Sequence, residues 1–169
     1  MHAVYPGSFD PITNGHMDIV RRAARVFSRL TVAVVVNPQK RSPMFTLEER
    51  EQMIRESVGD LPNVRVDHFR GLLADYLKKI DADLIVKGLR VVSDFESEMS
   101  TALMNRSLSK EVDTAFMMAS AEFSFVSSSL VKEVFFLGGD VSAFVPKHVL
   151  HTMELRRRSL THATEGVSH

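Results

Sequence analysis

Short β-branched runs alternate along this chain with stretches whose apolar residues recur on one helical face. Residues 3–5 (Ala3-Val4-Tyr5) read as a first short strand. Between His16 and Phe27 the apolar residues Ile19, Val20, Ala23, Ala24 and Phe27 keep one-face spacing and predict a helix. Residues 30–36 (LTVAVVV) are apolar at nearly every position, the pattern of a strand buried on both faces, and Asn37-Pro38 ends it. Thr46 with Glu49 three residues on reads as a capping box, opening a helix to about residue 58 that Gly59-Asp60 closes. The pattern then predicts a strand over 64–69, a short helix over 72–80, a strand over 83–87 ended by Gly88, and a helix over 93–108. A fifth strand over 114–119 follows, then a helix capped by Ser127 or Ser128 and stopped by Gly138-Gly139, and a last helix from Pro146 to about residue 157.

Strands and helices in strict alternation imply a parallel sheet with helices on both faces. Right-handed crossovers make it a doubly wound, five-stranded α/β sheet of Rossmann-like type. With 169 residues and no repeat or linker, the chain reads as one domain over residues 1–158. The small polar tail over 159–169 reads as frayed.

Composition narrows the function classes. Lysine plus arginine equals aspartate plus glutamate, 21 each, so no global charge points to nucleic acid or to a membrane surface. There are no cysteines, which removes disulfides and thiolate metal sites. No apolar run reaches the roughly 18 residues of a membrane span. The first residues have neither the basic nor the apolar region of a signal peptide. A cytoplasmic location is the expectation.

In open α/β sheets ligands bind outside the carboxyl ends of the strands. Gly7 to His16 follow the first strand, Lys40 and Arg41 the second, Lys87 to Arg90 the fourth, and Phe123 to Ser129 the fifth. Glycines, cations, hydroxyls and a histidine thus gather on one edge, a set suited to a polyphosphate. Gly7 permits a sharp exit and close backbone approach. His16, at a helix start that favours anions, can donate to a phosphate oxygen as charge builds. Alone, His16 also suits a solvated helix start, but the Gly-Ser-Phe-Asp-Pro frame ahead of it favours the chemical role. Lys40 fits either a phosphate contact or a solvated loop. Lys87, directly after Leu84-Ile85-Val86, calls for an anionic partner, and Arg90 is suited to grip a phosphate through its fork. One serine of the run can be the N-cap, which leaves the others as candidate phosphate donors. Glu98 within a helix reads as solvated, and Met99, Leu103, Phe116, Met117 and Met118 read as core or subunit contact. The seven histidines show no zinc spacing, and no metal ligand set is expected. Neither a dinucleotide glycine fingerprint nor a P-loop is present.

Residues Tyr5 to His16, YPGSFDPITNGH, resemble the signature of the nucleotidyltransferase superfamily with a His/Thr-x-Gly-His motif. Phe125-Val126-Ser127-Ser128-Ser129 looks like its second motif. Pro43 to Arg50, Lys87-Gly88-Leu89-Arg90 and Asp94-Phe95-Glu96 narrow the likeness to the bacterial phosphopantetheine adenylyltransferase family, over about residues 3–155. The resemblance implies transfer of the adenylyl group of ATP to 4′-phosphopantetheine, giving dephospho-coenzyme A and pyrophosphate by direct in-line attack. It assigns transition-state stabilisation to His16. It places ATP on Ser8, Phe9, His16, Gly88, Leu89, Arg90, Glu98 and on Phe123, Ser124, Phe125, Val126, Ser127, Ser128 and Ser129. It places the second substrate on Ser8, Lys40, Leu73 and Lys87. It also implies Mg²⁺ carried by the ATP phosphates, a homohexamer, and inhibition by coenzyme A. Ser8, Lys87 and Leu73 depart from the family's commoner Thr, Arg and Met while keeping the hydroxyl, the cation and the apolar bulk. Lysine for arginine loses the planar fork.

Three rival readings stand beside this one. A sister enzyme that adenylylates nicotinate mononucleotide generally carries His at the position of Thr13. A regulatory nucleotide-binding module without turnover predicts loss of a motif residue, whereas Ser8, His16, Lys40, Lys87, Arg90 and the serine run are all present. A nicotinamide oxidoreductase on a similar sheet lacks support without the glycine fingerprint.

Overall fold

The computed structural model describes residues 1–36 and 43–165. Five strands form one parallel sheet: β1 (His2–Gly7), β2 (Arg29–Val36), β3 (Val64–Arg70), β4 (Leu84–Leu89) and β5 (Asp113–Met118). The α-helices among the described residues are α1 (Asn14–Val26), α2 (Leu47–Ser57), α3 (Leu73–Lys79), α4 (Val92–Leu108), α5 (Ser128–Phe136) and α6 (Lys147–Glu165). A single 3₁₀ turn, Ala121–Phe123, lies between β5 and α5. The strand order is β3-β2-β1-β4-β5, the doubly wound arrangement expected from the alternation.

Burial explains why the central strands are apolar throughout. Val4, Leu30, Val32, Ala33, Val34, Ile85 and Val86 are fully covered, because helices lie on both faces of β1, β2 and β4. The edge strands β3 and β5 are mostly half-buried and carry more polar residues. The pleat divides alternate residues between two cores. Ala3 and Tyr5 of β1, with Val32 and Val34 of β2, pack against α1, α2, α5 and α6. Val4, Ala33 and Ile85 face the other way, against Tyr76 and Leu77 of α3 and Val112. The second core is the smaller, and α4 on that side buries no residue at all.

Three of the element boundaries that differ from the sequence expectation do so for a clear physical reason. First, α1 starts at Asn14 rather than His16, because Thr13 caps it and His16 takes the third helical position usually held by Glu or Gln. Second, β4 runs through Gly88 to Leu89, pairing Gly88 with Met117 and Leu89 with Met118. Gly88 is there for close approach rather than for a turn: a Cβ on it would sit 3.1 Å from Ile19 Cγ1. Third, α6 passes residue 157 and continues to Glu165, since no Gly or Pro interrupts the chain before Gly166. Residues 166–169 lie outside the described residues.

The chain lays down β1, β2 and β3 in one direction, then returns to place β4 on the free side of β1. The carboxyl ends of β1 and β4 therefore flank a crevice at the switch point of the sheet.

Candidate active site

The loop from β1 to α1 forms one wall of that crevice. Phe9 has φ of +45°, in the left-handed region, yet is only 2% exposed. Packing holds this backbone strain, which costs about 1–3 kcal/mol. Gly7 is required beneath it, because a Cβ there would lie 2.9 Å from Phe9 Cζ. Arg50 of α2, itself 6% exposed, donates from Nη1 to Ser8 O at 2.9 Å and fixes the loop's start. At the far end, Asn14 N–H donates to Phe144 O at 2.8 Å.

His16 closes the loop and shapes its own chemistry. Thr13 Oγ1 accepts from His16 N–H at 3.3 Å, and Thr13 N–H donates to His16 Nδ1 at 3.1 Å. An Nδ1 that accepts a backbone proton carries none of its own, so the neutral ring keeps its hydrogen on Nε2. Phe9 lies edge-on to the ring at 5.1 Å and Tyr5 at a tilt at 6.4 Å. Burial among these groups, and secondarily the charge of Arg90, lowers the His16 pKa to about 4. At neutral pH the ring is an uncharged donor. Burial, with the Glu98 charge behind it, pushes the Tyr5 phenol up and keeps it protonated as well.

The opposite wall is charged. Lys87 Nζ, near the end of β4, lies 3.0 Å from Glu98 Oε2 of α4 in an ion pair. Arg90 forms a fork with Asp94, with Nε to Oδ2 at 3.1 Å and Nη2 to Oδ1 at 3.2 Å, and its own N–H donates to Oδ2 at 3.1 Å. Burial works against a charged Asp94, but these bonds from Arg90 outweigh it and hold the carboxyl below its usual range. Each cation thus has a carboxylate of α4 as its partner.

The third side comes from the β5–α5 segment. Asp18 of α1 accepts from Ser120 N–H at 3.1 Å and from Ser120 Oγ at 2.9 Å, tying this segment to the helix that carries His16. Ser127 is the N-cap of α5, its Oγ accepting from Leu130 N–H at 3.1 Å. Ser128 Oγ donates to Pro11 O at 2.8 Å. Ser129 faces the cleft within the first turn of α5, where helix N–H groups favour an anion.

These walls enclose a cleft of about 310 Å³. Of the sequence candidates, Ser8, Phe9, His16, Lys87, Gly88 and Arg90 line it. So do Glu98, Phe123, Val126, Ser127, Ser128 and Ser129. Four candidates are not brought to it. Leu89 turns into the core and its carbonyl accepts from Ala119 N–H. Ser124 Oγ donates to Ala121 O. Phe125 swings out, 55% exposed, against Phe144. Leu73 packs on the smaller core. Lys40 lies outside the described residues. The structure adds Tyr5, Pro6, Gly15, Ile19, Asp94 and Ala119. Asp94 sits in a recognised motif, but only its fork with Arg90 reveals a role; Tyr5 opens the first motif without a role of its own, and Ile19 carries no sign in the sequence beyond core hydrophobicity. Among the described residues no cluster of three or more His, Asp or Glu is arranged to hold a metal ion.

A neutral histidine, two cations and a helix N-terminus around one cleft at a switch point describe a nucleotide-transfer site. The chain belongs to the cytidylyltransferase-like family, whose model matches residues 4–134, and within it to the phosphopantetheine adenylyltransferases. A phosphopantetheine adenylyltransferase of Heliobacterium modesticaldum is 57% identical over 151 residues, covering 89% of each chain. One from Clostridium kluyveri is 55% identical over 148 residues, covering 88% of this chain and 90% of that one. Among solved structures, a putative nicotinate-nucleotide adenylyltransferase of Vibrio parahaemolyticus superposes with a TM-score of 0.67 over 89% of each chain. At 16% identity that likeness speaks for the fold alone.

Proposed function

We propose that this enzyme transfers the adenylyl group of ATP to 4′-phosphopantetheine, forming dephospho-coenzyme A and pyrophosphate in coenzyme A synthesis. The observation that carries the reading is the cleft itself. His16, Lys87, Arg90 and the α5 N-terminus converge on one volume, in a chain more than half identical to relatives of that name.

The phosphate oxygen of phosphopantetheine attacks the α-phosphorus in line, and the bond to pyrophosphate breaks as the new bond forms. Charge spreads over the non-bridging oxygens, and catalysis is positioning plus stabilisation of that charge. His16 Nε2–H donates to one such oxygen. With a pKa near 4 it acts as a fixed donor rather than a proton source. Arg90 and the first turn of α5 hold the triphosphate. Lys87, with Lys40, holds the acceptor phosphate, and Ser8 contacts both substrates. Phosphates bind Lys87 and Arg90 by taking the places of Glu98 and Asp94.

Mg²⁺ belongs to the proposal as an ion carried by ATP. The cleft is lined mainly by hydroxyls, two cations and the N-terminus of α5, a donor set that fits a hydrated ion on the triphosphate better than a protein cage. When bound, the ion would neutralise phosphate charge, and Ser8, Arg90 and the serine run would hold the complex. Coenzyme A carries the same phosphopantetheine arm and competes for the cleft, which makes it the proposed inhibitor. The apolar surface of α4, with Val92, Leu103 and Met104 each more than half exposed, supports assembly into a homohexamer. The cytoplasm, where ATP is abundant, is the proposed location.

Purified protein with ATP, Mg²⁺ and 4′-phosphopantetheine should release dephospho-coenzyme A, read by mass spectrometry. Product from nicotinate mononucleotide and none from phosphopantetheine would overturn the assignment.

A further inference from the structure

The β1–α1 loop is also gripped by groups that the reaction above does not use. Asp10 is 7% exposed. Its carboxylate accepts from Met44 N–H and Phe45 N–H, each at 3.0 Å, and from Lys132 Nζ at 2.6 Å. Lys132 is on α5, four residues after Ser128, so both project from one side of that helix. They hold consecutive loop residues: Lys132 takes the Asp10 carboxylate and Ser128 the Pro11 carbonyl. Asp10 does not line the cleft, whereas Ser8 and Phe9 before it and His16 after it do.

We propose that Asp10 and Lys132 are a positioning pair for adenylyl transfer, holding the Ser8-to-His16 loop in register with the N-terminus of α5. The inference rests on the function proposed above. Its physical basis is that donors from two elements must address one phosphate, and a misplacement of about 1 Å can cost roughly a hundredfold in rate. A charge pair on one side of α5 sets that separation. Removing the cation leaves the Asp10 carboxylate with two backbone donors and an uncompensated charge, which the loop relieves by shifting.

The test compares wild type, Lys132→Met and Lys132→Arg. The Lys132 side chain is 27% exposed, so methionine can retain its apolar stem. Calorimetry with ATP counts binding-competent sites and gives the ATP affinity; turnover is then expressed per site, which removes any loss through partial unfolding. The proposal expects Lys132→Met to lower turnover per site about thirtyfold with ATP affinity held within about threefold, and Lys132→Arg to restore at least about a third of it. Unchanged turnover per site in Lys132→Met would overturn it. So would parallel loss of affinity and turnover, failure of arginine to rescue, or a methionine variant that is unfolded at the assay temperature, since each assigns the pair elsewhere. Wild-type protein that makes no dephospho-coenzyme A would instead remove the underlying function.

Discussion

The wall formed by the β1–α1 loop is tied to distant parts of the chain at four of its residues, whereas the wall formed by the end of β4 and α4 is tied mainly to itself. On the first wall, Ser8, Asp10, Pro11 and Asn14 are held by Arg50, Lys132, Ser128 and Phe144, from three other parts of the chain. On the second, Lys87 pairs with Glu98 and Arg90 with Asp94, all within one strand and the helix that follows. No residue of that helix is fully buried, and Val92, Leu103 and Met104 on it are more than half exposed. The difference matches the two tasks in the proposed reaction, where the first wall presents a neutral donor at a fixed point and the second exchanges carboxylate partners for phosphates; the bonds of the second wall are charged and partly exposed.

The sharpest way to break this comparison is to remove the fixed donor. His16→Ala should lower kcat by about a hundredfold or more while ATP affinity changes by less than about threefold, measured by steady-state kinetics and calorimetry. Equal losses in both would make His16 a binding residue and erase the distinction between walls. Next in size is the proton affinity of the same ring. The folded site holds His16 neutral, with a pKa near 4 against 6.5 for the free side chain. The unfolded chain then takes up the proton first. Stability contributed by the neutral ring is complete above pH 6.5 and falls as pH drops from there towards 4. An NMR titration of the His16 ring should show a midpoint far below 6.5; a midpoint at the ordinary value would mean the wall is open to water.

On the charged wall the expected effects are smaller. Asp94→Asn removes the charge that holds the Arg90 fork and should tighten ATP binding by about three- to tenfold, read by calorimetry. Weaker binding would show that Asp94 orients Arg90 for the ligand rather than competing with it. Smallest is Ser127→Ala, which removes the N-cap of α5 and should cost about 1 kcal/mol in a denaturant melt.

The sheet and its edge were legible because buried parallel strands need unbroken apolar runs, as in residues 30–36, and because ligand groups must follow strand ends. His16 was legible for the same reason. Its capping role was hidden, since histidine at the third helical position does not resemble the usual Glu or Gln. Gly88 read as a stop because sequence does not show that Ile19 lies above it. The pairing of Asp94 and Glu98 depends on how α4 is phased against β4, which periodicity cannot supply in a helix with so weak an apolar face. The resemblance implies ATP contacts at Ser124 and Phe125 along with their neighbours, whereas the chain after the 3₁₀ turn puts the Ser124 hydroxyl on Ala121 O and the Phe125 ring against Phe144, an outcome of backbone path that no residue type shows.

The loop wall also joins early and late parts of the sequence. Asp10 meets Lys132 across 122 residues, Pro11 meets Ser128 across 117, and Asn14 meets Ala143 across 129. A ribosome delivers the β1–α1 loop early and its α5 clasps only 117 to 122 residues later. The nascent chain therefore has no working centre until its final quarter has emerged, and any premature stop before α5 yields a polypeptide that is inert however well its sheet has formed.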